Sequence, residues 1–181
     1  MKPHSYTSEG IILGRRNFGE ADRILWVYSK NHGRVALIAK GVRRPESRKR
    51  GHLEIFAKVN FQAAKSRNLD LMTEVDVIDV YPEIRNSLKK ISLAYYICEV
   101  VGKITHEQEP NIELYDLITE NLEILKSAKK LKDLRLKFIR DLLVLTGFWP
   151  HDKNLADPDL KLEEVIERQI YSQRVGKRMI Q

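Results

Sequence analysis

Up to Val80 the apolar residues of this chain tend to alternate, and beyond Pro82 they return every third or fourth position. The first period is that of strands and the second that of helices. Leu71, Thr73, Val75 and Val77 alternate with Asp70, Met72, Glu74 and Asp76, which predicts a strand over 70–80 with the two sets on opposite faces. Ala57, Val59, Phe61 and Ala63 share a face opposite Lys58, Asn60 and Gln62. Shorter β-branched and aromatic runs, Ile24 to Tyr28 and Arg34 to Lys40, flank Lys30-Asn31-His32-Gly33, a loop suited to a hairpin. Gly10 to Arg16 reads as a first strand, turned back by Asn17-Phe18-Gly19-Glu20, and Lys65-Ser66-Arg67-Asn68 is a further polar turn.

Five such strands are the number of a small closed barrel such as the OB-fold. After Pro82, which suits a helix's first turn, Ile84, Leu88, Ile91, Tyr95, Cys98 and Val101 predict one helix to about Ile104. Glu109-Pro110-Asn111 breaks it. Leu114, Leu117, Ile118, Leu122 and Leu125 mark a second helix, and Leu131, Leu134, Phe138, Leu142 and Leu145 a third, with Gly147 as its C-cap. A fourth starts near Asp157-Pro158 and carries Leu162, Val165, Ile166 and Ile170. The fold class is therefore α+β: a five-stranded barrel over 1–80, then an all-α domain over 81–181.

The chain has 181 residues, of which 43% are hydrophobic and 31% charged, as in globular proteins. No stretch approaches the roughly 18 apolar residues of a membrane span, and Met1 to Gly10 has no apolar signal core. The expected location is the cytoplasm. One cysteine, Cys98, and five scattered histidines exclude a disulfide framework within the chain and argue against a structural zinc site. The net charge of +7 is uneven: residues 1–80 hold 15 basic and 9 acidic residues, and residues 81–181 hold 17 and 16. A positive field concentrated on the barrel attracts polyanions, of which nucleic acid is the commonest.

The densest basic segment is Lys40 to Gly51, with Lys40, Arg43, Arg44, Arg48, Lys49 and Arg50 against the single acid Glu46. Gly41, Pro45 and Gly51 make it a loop, and such a loop follows a phosphate backbone without reading bases. Arg15 and Arg16, near the end of the first strand, and Lys65 and Arg67, in a later turn, extend the patch. Phe18, between the turn residues, is the best exposed stacking candidate; Trp26, Tyr28, Phe56 and Phe61 read mostly as core. The glycines at 10, 14 and 19 lack the Gly-Lys-Ser/Thr and Rossmann spacings, which argues against an ATPase. Glu20 and Asp22 alone are too few for a metal nuclease, Asp22 reading as a turn cap or arginine partner. Cys98, on an apolar helix face, reads as a buried thiol. No catalytic residue and no cofactor are expected.

The stretch Thr7 to Leu25, with Gly14-Arg15-Arg16-Asn17-Phe18-Gly19-Glu20-Ala21-Asp22, resembles the opening of the bacterial recombination-repair family RecO. So does His32 to Arg44. Leu53-Glu54-Ile55-Phe56, Asn68-Leu69-Asp70, Leu93-Ala94-Tyr95-Tyr96 and Leu145-Thr146-Gly147-Phe148-Trp149-Pro150 follow in the same order. The match is specific to about Val80 and looser to Pro150. The resemblance implies an OB-fold followed by a helical domain, in a mediator of DNA repair and homologous recombination. Such a mediator binds single- and double-stranded DNA, anneals complementary strands without ATP and helps load the recombinase RecA onto coated strands. The implied partners are RecR, in some members RecF, and single-strand-binding protein, whose acidic C-terminal tail docks on the helical domain. The implied location is the nucleoid.

Many members follow the Gly-Phe-x-Pro segment with a four-cysteine zinc module, but His151 to Gln181 holds no cysteine. The module is expected to be absent or replaced by a single helix, with no metal bound. For an acidic tail, Lys132, Arg135 and Arg140 lie off the apolar positions of the third helix and are expected to face water. The alternative reading is an RNA-binding OB-fold protein. A metal-dependent nuclease is a third class, which the sparse acids disfavour.

Overall fold

A computed structural model describes residues 5–45, 47 and 53–167. Strands β1 (Ser5–Phe18), β2 (Asp22–Ser29), β3 (Gly33–Ala39), β4 (Lys58–Ala64) and β5 (Asp70–Asp79) form a closed barrel in the order β1-β2-β3-β5-β4. All pairs are antiparallel except β3 with β5, where Leu37 and Ile38 lie beside Asp70 and Leu71 and close the cylinder. This is the OB-fold arrangement.

The first strand is longer than its apolar run because it serves two neighbours. Residues 5–11 pair with β4 and residues 10–18 with β2. In the first half Ser5, Thr7 and Glu9 face out while Tyr6 packs against the barrel core. A bulge at Leu13 then shifts the register between Ile12 and Gly14, so the faces exchange. Ile12 points into the core, as do Leu25, Val27, Leu37, Val59, Phe61 and Ala63, all 0–1% exposed. A second bulge in β5, where Gln62 pairs with Glu74 but Ala63 with Met72, corrects the simple alternation there. Met72 enters the core on the same side as Val75 and Val77, and Thr73 stands out, its hydroxyl on the carbonyl of Gln62.

The helix after Pro82 is two helices, α1 (Pro82–Arg85) and α2 (Leu88–Ile104). Ser87 between them is extended. α2 buries Leu93, Ala94, Ile97, Cys98, Val101 and Ile104, whereas Leu88 is 79% and Tyr95 42% exposed. Of the positions that spacing picks out, Ile84, Cys98 and Val101 are buried, but packing against β1 turns Leu93, Ala94 and Ile97 inward in place of Leu88 and Tyr95. α3 (Ile112–Ser127) buries Leu114, Ile118, Leu122 and Leu125 as its pattern predicts, and Asn111 caps it by accepting the Leu114 amide at 2.9 Å. Tyr115 adds to its buried face.

The chain divides into two compact units, one ending at Ser127 and one beginning at Ala128. The first holds the barrel and α1–α3. In the second, α4 (Leu131–Leu145) buries Leu134, Phe138, Ile139, Leu142 and Leu143. Gly147, at φ +78°, ends it: its amide reaches Val144 and that of Phe148 reaches Leu143, a Schellman motif. Helical residues 158–167, here α5, bury Leu162 and Val165. Ile170, expected on that helix, lies outside the described residues, as does the rest of 168–181, the end of the segment in which a single helix was expected in place of a zinc module. No described helix is long and apolar enough to cross a membrane.

Candidate nucleic-acid interface

Cross-strand neighbours share a face, so the barrel's registers sort its side chains. Arg16 lies opposite Ile24, which lies opposite Ile38; Gly14 lies opposite Trp26, which lies opposite Ala36. These residues form the outer face of β1-β2-β3, and Phe18, 46% exposed, continues it past Arg16. Gly14 leaves room for the Trp26 ring, which a Cβ there would meet at 3.4 Å. Trp26 is half-buried on this outer face rather than in the barrel core. At the other end of the face, Tyr28 is covered. Its hydroxyl reaches the carbonyl of Asn111 at 3.5 Å, and burial lifts it to about 12. The segment after α2 therefore closes one end of the face and leaves the Arg16, Phe18 and Trp26 end open.

The chain leaving β3 folds back to that open end. The Gly41 amide donates to the Asp22 carboxylate at 2.8 Å, and the Arg43 amide donates to Ala21 at 2.8 Å. The Arg43 guanidinium donates to the carbonyl of Gly19 at 3.1 Å, and Val42 is 2% exposed beneath. The turn thus sets Lys40, Arg43 and Arg44 beside the β1–β2 turn that carries Phe18. Lys40, Arg44 and Arg16 are exposed. Arg48, Lys49 and Arg50 lie outside the described residues.

Arg15 takes a different place. Its partner Leu25 is in the core, so Arg15 points to the inner side, where its guanidinium meets Glu54 at 2.8 Å. Arg23 approaches the same carboxylate at 3.7 Å. Nearby, Arg85 donates to the carbonyls of Val80 and Ile55 and lies 3.9 Å from the centre of the Phe56 ring. Arg15 thus belongs to an ion-paired group rather than to the exposed face.

Lys65 and Arg67 are exposed on the β4–β5 turn. Lys65 lies 6.0 Å from the Tyr6 ring, which packs at 4.3 Å against His32 of the β2–β3 turn. The Tyr6 hydroxyl donates to Asp70 at 2.8 Å, and the Ser66 amide to its other oxygen at 3.0 Å. Burial and the nearby Lys65 charge hold the His32 imidazole below its ordinary value, against the opposing pull of Asp70. Tyr6 escaped the sequence reading because it lies outside the apolar run of β1. In the second unit Lys132 and Arg140 are exposed on α4. Arg135, expected to face water, is instead held in two contacts by Asp159 of α5, at 2.5 and 2.8 Å.

Comparison with known proteins matches residues 1–81 to the N-terminal and residues 85–156 to the C-terminal model of recombination protein O. The chain belongs to the RecO family. It is 38% identical over 145 residues to the DNA repair protein RecO of Pelotomaculum thermopropionicum, covering 80% of this chain and 56% of that one. Against the DNA repair protein RecO of Dehalococcoides mccartyi (strain BAV1) it is 32% identical over 166 residues, 91% of this chain and 65% of the relative. The Bifidobacterium adolescentis DNA repair protein RecO is 34% identical over 148 residues, with 80% and 60% covered. This RecO chain thus spans about three-fifths of the length of these curated relatives. The RecO N-terminal match takes in the whole barrel and with it the open outer face.

Proposed function

We propose that this RecO chain is a DNA repair and recombination mediator that binds single- and double-stranded DNA on the open outer face of β1-β2-β3 and anneals complementary strands without ATP. The observation that carries this reading is the Gly41–Arg44 turn folded over the β1–β2 turn, which groups Lys40, Arg43 and Arg44 with Arg16 around Phe18 and Trp26. The cations neutralise phosphates of one strand and the aromatic rings offer a stacking surface. Lowered repulsion lets a second strand approach while base edges stay free to pair. No covalent step is needed, and no catalytic residue is assigned. The family reading adds recombinase loading on coated strands, with RecR, single-strand-binding protein and in some members RecF as partners. Exposed Lys132 and Arg140 suit an acidic tail.

The test is fluorescence-monitored annealing of complementary strands without ATP, bare and coated with single-strand-binding protein. Faster annealing in both conditions is expected. Affinity should fall with salt at a log–log slope of about −0.7 per phosphate contact on single strands. Reversing Arg16, Arg43 and Arg44 together should slow annealing and flatten that slope. Unchanged annealing in that variant would refute this face, and a preference for RNA of the same sequence would favour the RNA-binding alternative.

A further inference from the structure

Away from the open face, the β2–β3 turn, the β4–β5 turn and the segment between α2 and α3 line a pocket of about 420 Å³ that is open to solvent on one side. That is within the roughly 300–1,000 Å³ of small-ligand pockets. Among the described residues its rim holds one cation, Lys65, and the neutral polar groups of Ser66, Asn31 and Gln108. Its walls are the His32 ring, packed at a tilt of 55° against Tyr6, with Val35 and Pro110. Asp70 also lines it, but both its oxygens are already engaged, one by the Tyr6 hydroxyl and one by the Ser66 amide.

The walls are fixed in advance. Arg34 donates to the carbonyl of Gly102 at 2.5 Å, and the Gln108 amide donates to the carbonyl of Arg34 at 3.0 Å. Gly33 approaches so closely that a Cβ on it would lie 2.3 Å from the Glu109 carbonyl oxygen. Gln108 is held at φ +61°, a left-handed backbone that favours glycine. Local strain of this kind persists where surrounding contacts over-determine it. A pocket with one ammonium, amide groups at its rim and ring walls has the groups that recognise a phosphate, a base edge and a base face respectively.

We infer that this cavity is a nucleotide pocket, holding one base and its adjoining phosphate, with Lys65 on the phosphate, Asn31 or Gln108 at the base edge and His32 beside the ring. The same unit is presented by a free mononucleotide and by the terminal nucleotide of a DNA strand. The inference deepens the DNA-binding reading and, for the strand source, rests on it. Burial and Lys65 favour the neutral imidazole, which suits packing against a base.

The experiment uses the full chain, deoxyadenosine monophosphate as the free probe, and an internally labelled single strand with a phosphate at its 5′ end, at its 3′ end or at neither. Saturable binding of the mononucleotide is expected, and one end-phosphorylated strand should bind about tenfold tighter than the unphosphorylated one. Lys65 is exposed, so Lys65→Gln should fold normally while abolishing both effects; Asn31→Asp, which adds a repelling charge, should do the same. Arg43→Glu should weaken every strand alike and leave mononucleotide binding unchanged. Mononucleotide binding without preference for a phosphorylated end supports the pocket and assigns it to free nucleotides. Mononucleotide binding by a chain that binds no DNA supports the pocket and overturns the DNA-binding reading instead. Absence of both effects, or their persistence in Lys65→Gln, overturns the pocket.

Discussion

The amide of Gly41 donates to the carboxylate of Asp22 at 2.8 Å, and this contact ties the chain leaving β3 to the start of β2. It joins two loops that are distant in sequence, one rich in cations and one carrying Phe18. Asp22→Ala removes the acceptor and leaves the Gly41 amide to solvent. A hydrogen bond to a charged group contributes about 1.5–3 kcal/mol, less where water replaces it. The expected result is a loss of about 1–2 kcal/mol in urea unfolding, accompanied by weaker single-strand binding. Unchanged DNA affinity in a measurably destabilised Asp22→Ala chain would show that the turn's placement of Arg43 and Arg44 does not matter for binding.

Phe18 offers a way to separate stacking from charge. It is 46% exposed at the end of β1, so Phe18→Ala gives up little burial and should leave the unfolding midpoint nearly unchanged. Stacking of one base on an aromatic ring is worth about 1–3 kcal/mol by alanine substitution. Single-strand affinity should therefore fall about tenfold, with little change for duplex, whose bases are already stacked, and with the salt slope preserved. A uniform loss on both substrates would assign Phe18 to the fold rather than to the interface.

Much of this architecture was legible in the residues, and the exceptions have local causes. Five strands followed by helices can be read from periodicity because burial repeats every second residue in one and every three to four in the other. The bulge at Leu13 left no such signal. It turns Arg16 outward and Arg15 inward onto Glu54, so two adjacent arginines of identical chemistry have different environments. In β5 a bulge likewise reverses the roles of Met72 and Thr73. On α2 the helical spacing of Leu88, Ile91, Tyr95, Cys98 and Val101 was only half right, because contact with the barrel turned Leu93, Ala94 and Ile97 inward and left Leu88 and Tyr95 exposed. Arg135 looked solvent-facing because its partner, Asp159, comes from a different helix. The pocket was illegible for a related reason: Tyr6, His32 and Lys65 come from three segments that barrel closure assembles, and Gln108 from the segment after α2 that docks on β3.

Close packing at the middle of β1 makes a further prediction. A Cβ added at Gly10 would lie 2.4 Å from Cγ1 of Val27, 3.1 Å from the carbonyl oxygen of Tyr28 and 3.3 Å from the Phe61 ring. Val27 is fully buried and Phe61 nearly so, so neither has free space to yield into. Gly10→Ala should cost about 1–3 kcal/mol by overpacking, read as a lower urea midpoint with the slope unchanged. A stability equal to the parent's would mean that the β1 backbone shifts freely, which its pairing with both β2 and β4 opposes.

The junction from barrel to helices carries a charge pair whose pH dependence has a definite sign. Asp79 accepts the Lys126 ammonium at 2.7 Å on one oxygen and the Tyr81 amide at 2.6 Å on the other. Tyr81, fully buried at φ +55°, packs its ring 4.9 Å from the same ammonium. Burial alone would raise the Asp79 carboxyl, but the hydrogen bonds from Lys126 and Tyr81 and the Lys126 charge outweigh it, and the group sits below its ordinary 3.8. A depressed carboxyl favours the folded state when ionised. Its contribution is complete above the unfolded value of 3.8 and is lost as pH falls through the lower folded value. Contacts with Asp79 and Glu123 raise Lys126, so its share is complete below 10.5 and is lost only as pH rises through its raised folded value. Asp79→Asn should therefore be less stable than the parent at neutral pH, and the gap should close as the medium is acidified below about pH 4. Placed on a Lys126→Met background, Asp79→Asn should cost less, because without the Lys126 ammonium the Asp79 carboxyl is no longer held down by its hydrogen bond and charge. Urea unfolding of the parent, both single variants and the double variant across acid pH measures this. A gap that stays constant down to the lowest pH would show that the Asp79–Lys126 pair is not what ties the end of β5 to α3.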